Sequence, residues 1–99
     1  MNKYSKGNVV WVRLEDNSWW PGYITKEQNE GNKAFMVEYI GRKRKNMTLI
    51  KDLAPFYGYF KKFGKDRRGL LGKAINSAYK IFKGKISYEG KVFSNIRRV

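Results

Sequence analysis

The chain has 99 residues, with 22 Lys and Arg against 8 Asp and Glu, giving a formal net charge of +14. It contains no Cys and no His, which excludes a disulfide framework, a thiol nucleophile, Cys-ligated zinc and any His-dependent triad or zinc enzyme. The length is that of one small domain, and 41% hydrophobic residues supply a packed core. A charge this one-sided calls for a polyanionic partner, nucleic acid ahead of an anionic membrane surface.

No apolar run approaches the roughly 18 residues of a membrane helix. The opening MNKYSKGNVVW lacks the apolar core of a signal peptide. The expectation is an intracellular protein in a nucleic-acid compartment, with no membrane partner.

In chain order, the first half reads as strands. GNVVWVRL puts Val10, Val12 and Leu14 on one face and Val9, Trp11 and Arg13 on the other. Asp16-Asn17-Ser18 has turn chemistry. Pro21 holds Trp20 extended, and a second strand is expected over Gly22–Lys26. Glu27–Lys33 is a polar loop, Ala34–Ile40 a third strand, Arg42–Lys45 a charged turn and Met47–Ile50 a fourth strand. Short strands on short turns suggest a small antiparallel barrel.

The second half changes period. Leu71, Ala74, Ile75, Ala78, Ile81 and Phe82 recur at i, i+3, i+4 spacing, which predicts an amphipathic helix laid against the barrel and stopped at Gly84. Residues 85–99 carry Ile86, Tyr88, Val92, Phe93 and Ile96, a set that packs back as a short strand or a final helix.

The cations fall in three groups: Lys3, Lys6 and Arg13; Arg42–Lys45; and Lys61, Lys62, Lys65, Arg67 and Arg68 ahead of the helix. Each alone reads as a solvated surface residue; the collective excess points to a polyanion, and phosphate contacts of that kind give affinity with little sequence preference. Arg42–Lys45 also matches a nuclear localisation run, although a tight charged turn accounts for it better. Gly64-Lys65 is not a phosphate-binding loop, because GxxxxGK[ST] is absent. Catalysis has no support. Asp16 and Asp52 stand beside a turn and a helix-like start, where carboxylates are ordinary. No cofactor is expected.

GNVVWVRLEDNSWWPG, with Ser18-Trp19-Trp20-Pro21 at its end, resembles the start of a PWWP domain. The resemblance continues through Tyr39-Ile40-Gly41, through KDLAPF at 51–56, and through FKKFGKDRRGLLGKAINSA at 60–78, the last most like the growth-factor-related branch. It implies a mainly β fold with C-terminal helices: a five-stranded antiparallel, SH3-like barrel of the Royal superfamily. The barrel would occupy about 5–57, the helical part about 58–83 and an extension 84–99 of a single domain.

The family reads methylated lysine on histone H3, most often lysine 36, and binds nucleosomal DNA beside it. That implies a nuclear, monomeric module of a larger protein. A trimethylammonium suits aromatic faces, whose quadrupole attracts a cation without needing a donor. Mapped onto this chain, the family's cage falls on Asn17, Trp20 and Tyr39. Asn17 is not aromatic, which leaves Tyr4, Tyr57 and Tyr59 as candidates for a third wall. Arg42 stands near where some members carry an acid, and Glu15 where many carry a base. The family's DNA-backbone contacts fall on Arg13, Lys51, Lys65, Arg67 and Arg68. Trp19 is expected to pack on a neighbouring helix or loop, and Trp11 in the core. Two functions remain open: a methyl-lysine reader that also holds DNA, and a nucleic-acid module with a degenerate cage.

Overall fold

The computed structural model describes residues 4–27, 34–90 and 92–93. Five strands, β1 (Val9–Arg13), β2 (Trp19–Glu27), β3 (Ala34–Tyr39), β4 (Lys45–Leu49) and β5 (Leu53–Pro55), precede helices α1 (Phe60–Phe63) and α2 (Gly69–Phe82). All pairings are antiparallel, in the order β4-β3-β2-β1-β5.

That order fixes the curvature. In a flat sheet β4 and β5 would lie about 19 Å apart, four spacings of about 4.8 Å. Yet only the 3-10 turn Ile50–Asp52 joins them, and such a turn rises about 2 Å per residue. The sheet must therefore roll until its two edges come together, as a small barrel does.

Rolling buries β1 on both faces. Val10 and Val12 point into an inner cluster with Ile24, Phe35, Val37, Tyr39 and Leu53. Val9 and Trp11 point outward into a second cluster with Ile40, Ala54, Phe56 and the helix residues Ala74, Ile75 and Ala78. The small residues Ala74 and Ala78 let α2 lie close against the sheet. Trp11 is fully buried, stacks on Phe56 at 5.1 Å, and donates its indole N–H to the Phe56 carbonyl at 2.9 Å. Phe82 departs from the expected stripe: it is exposed and stacks on Tyr57.

Some boundaries differ from the sequence expectation. β2 begins at Trp19, because Trp19, Trp20 and Pro21 pair with Arg13, Val12 and Trp11. Proline is tolerated there because its carbonyl still works, accepting from the Ile40 N–H at 3.0 Å. β4 begins at Lys45, whose charge sits opposite Glu38. α2 stops as expected: Gly84 takes φ 77° and its N–H reaches the Ile81 carbonyl.

The segment after α2 is neither a helix nor a ladder strand over its described residues. It is a strap held by side chains. Tyr88 stacks on Tyr23 at 4.3 Å and donates its hydroxyl to Glu38 at 2.6 Å. The Phe93 N–H bonds the Gly41 carbonyl, and the Phe93 ring covers Gly41 where a Cβ would stand. Lys3, most of the 27–33 loop and Ile96 lie outside the described residues.

Candidate functional site

The cage candidates meet at one end of the barrel. Gly22 pairs with Tyr39, so Trp20, two residues back on the same face of β2, is a diagonal neighbour of Tyr39. The Trp20 indole is pinned by its N–H, which donates to the Ile40 carbonyl at 2.8 Å. Tyr39 is only 3% exposed and packs in the inner cluster, its hydroxyl accepting from the Asn46 amide at 3.4 Å.

Neither ring is an open wall. The Arg42 guanidinium lies 4.9 Å over the Trp20 ring, and the Arg44 guanidinium lies 5.5 Å over Tyr39. The intervening turn, carried by Gly41 at φ 85°, folds both arginines back over the aromatic face.

Asn17 sits in the β1–β2 turn at φ 69°, exposed. That left-handed conformation suits Asn and disfavours a bulky aromatic. The same turn is tied by Ser18, whose hydroxyl and N–H both donate to Asp16 and hold its carboxyl below the ordinary range. The mouth here is a polar depression of about 400 Å³, lined by Arg13, Leu14, Glu15, Asp16, Tyr39, Arg42, Arg44 and Asn46.

The three candidates for a further wall are placed elsewhere. Tyr4 is buried edge-on against Phe35, Tyr57 stacks on Phe82, and Tyr59 stacks on Phe63. Trp19 stacks at 4.5 Å on Phe63 of α1, and the Arg13 guanidinium lies 5.8 Å from the Trp19 ring centre. The sequence reading missed Arg44 and Asn46 as parts of this corner. The signal for them was their place in the chain, Arg44 in the β3–β4 turn and Asn46 at the start of β4, close after Tyr39.

The proposed phosphate contacts divide. Arg13 is committed to Asp52, through Nε at 3.0 Å and a terminal nitrogen at 2.7 Å. Arg68 is paired with Asp66, whose carboxyl it holds below the ordinary range. Arg67 lies 4.9 Å over the Phe60 ring and bonds the Gly64 carbonyl at 2.6 Å. Lys51, Lys61, Lys62 and Lys65 are exposed. Contacts link Asp52 to Arg13, Arg13 to Trp19, Trp19 to Phe63 and Phe63 to Lys62, whose ammonium lies 5.9 Å from that ring, and Lys51 adjoins Asp52 in sequence. Among the described residues no three acidic groups gather as a metal site, and no helix is long and apolar enough to cross a membrane.

A profile of the PWWP domain matches residues 7–84. The chain belongs to the PWWP domain family. That family is one of chromatin-reading binding modules. PWWP domain-containing protein 2A of Xenopus laevis is 29% identical over 85 residues, covering 78% of this chain and 11% of the relative. The human protein of the same name is 28% identical over the same shares. This PWWP domain thus spans about a ninth of the curated relatives it matches. The solution structure of the second PWWP domain of WHSC1L1 shares the fold, with a TM-score of 0.65, 21% identity, and coverage of 86% of this chain and 88% of that one. The five-stranded sheet with C-terminal helices is the PWWP arrangement.

Proposed function

We propose that this PWWP domain docks on chromatin chiefly through nucleosomal duplex DNA, as a monomeric part of a larger nuclear protein. Lys51, Lys61, Lys62 and Lys65 contact phosphates, while Arg13, Arg67 and Arg68 shape the surface through their intramolecular partners. The observation that favours this over methyl-lysine reading is Arg42 lying over Trp20. A methylammonium approaching that ring would meet a guanidinium of the same charge.

An NMR titration tests the proposal. Short duplex DNA should shift the four lysines, and log K should fall against log salt with a slope of about −3.6 for four phosphates. Histone H3 peptides with and without trimethylation at lysine 36 should behave alike. Methyl-dependent shifts at Trp20 and Tyr39 would overturn it.

One observation favours the reader as a second reading: the pinned Trp20 face already holds a cation. If Arg42 swings aside on nucleosomes, Trp20 and Tyr39 can receive a methylated histone H3 lysine next to DNA. Arg42→Ala should then gain trimethyl-dependent peptide binding by about five-fold or more, the worth of one cation–π contact, and Trp20→Ala should abolish it. No gain in Arg42→Ala removes this reading.

A further inference from the structure

Beside the lysines of α1 lies a depression whose aromatic floor duplex docking leaves unused. It sits between α1 and α2, has a volume of about 370 Å³ and is lined by Phe60, Arg67, Asn76, Tyr79 and Lys80. Its floor is aromatic: Phe60 and Tyr79 have centroids 5.5 Å apart, and Tyr79 is 36% exposed. One rim is the Arg67 guanidinium, 4.9 Å over the Phe60 ring and bonded to the Gly64 carbonyl. The other is a stripe of α2, where Asn76, Tyr79 and Lys80 follow at helical spacing, with Lys83, just past the helix, 5.8 Å from the Tyr79 ring. A short way along, past Phe56, the exposed pair Tyr57 and Phe82 stacks at 5.6 Å.

Each component matches one part of a nucleotide. An exposed aromatic face with an arginine plane beside it suits a stacked base. A side-chain amide, offering both donors and an acceptor, matches a base edge. Lysines on the rim match the phosphates between bases. A duplex hides its base faces, so duplex DNA could use only the rim. We propose that this depression binds an unpaired base of single-stranded nucleic acid, with Tyr57 and Phe82 as a second stacking platform.

The test uses the 99-residue chain and fluorescence anisotropy with three probes: a single strand of about ten nucleotides, the same length of abasic strand, and a duplex. The two strands carry equal phosphate charge, so any difference between them reports bases. The base-bearing strand should bind about ten-fold more tightly than the abasic one. Tyr79→Ala should remove most of that difference and Tyr79→Ala with Tyr57→Ala all of it, with the abasic affinity unchanged; Tyr79→Phe should keep it, and Asn76→Ala should shrink it. Equal affinity for the two strands overturns the proposal, as does an equal loss of both in Tyr79→Ala. An acidic, aromatic peptide that binds more tightly than the strand and is lost with Tyr79 also overturns it, making the site a protein-docking one. Loss of duplex binding with the strand preference intact would fail the duplex proposal alone.

Discussion

Trp11 shows how one side chain can serve two layers. Its ring fills the space between sheet and helices, while its N–H donates to the Phe56 carbonyl. Trp11→Phe should remove both ring volume and donor and cost about 2–4 kcal/mol in denaturant unfolding. Gly72 tests sign rather than size. Inside an ordinary helix, Gly→Ala gains up to about 1 kcal/mol. Here an added Cβ would run into the Arg67 main-chain carbonyl, so Gly72→Ala should instead destabilise by about 1–3 kcal/mol and disturb the segment that presents Arg67. A raised melting temperature would contradict that packing. At the end of the barrel, the nearness of Trp20 and Tyr39 was legible from their places before Pro21 and Gly41. What covers them was not. Arg42 and Arg44 are two cations among 22 Lys and Arg in the sequence, and only the turn's path lays their guanidinium groups on the rings.

At the scale of elements, the strap is the piece with its own chemistry. Burial first, then the hydrogen bond to the Glu38 carboxylate, pushes the Tyr88 phenol well above its ordinary value near 10. The fold therefore favours the protonated phenol. Its contribution is complete below about pH 10 and declines as pH climbs toward the higher folded value. The Tyr23–Tyr88 contact should loosen at alkaline pH ahead of the barrel, seen as early loss of near-ultraviolet dichroism. Tyr88→Phe, which keeps the ring, should lower stability at pH 7 by about 1 kcal/mol or less, since the pair is partly solvated, and abolish the early alkaline step. β1 and β3 were legible as short apolar runs rich in β-branched and aromatic residues, and α2 because its apolar positions keep a helical period. The start of β2 was not, because a proline inside a ladder contradicts the usual rule. The strap was not, because rings, one hydroxyl and one glycine hold it, and none of these has a period to read.

For the whole molecule, self-repulsion is the dominant long-range term. With a net charge of +14, added salt should screen it and raise the melting temperature by a few degrees between about 0.05 and 0.5 M, the same change that weakens duplex binding. A flat or falling melting temperature would mean that local ion pairs such as Arg13–Asp52 outweigh the general repulsion. The pairing of β1 with β5 also has a consequence in time. β1 to β4 join through near neighbours in sequence, whereas Val10 must wait for Pro55 to find it. Closing that long loop costs entropy that only the finished contact offsets. The meander should therefore form in the folding transition state, and the β1–β5 seam should zip afterwards. Ala54→Gly should speed unfolding while leaving the folding rate nearly unchanged, and Val37→Ala should slow folding. In this order of events the barrel is open for most of its folding and shuts last, at the strand that leads into the Trp11–Phe56 lock.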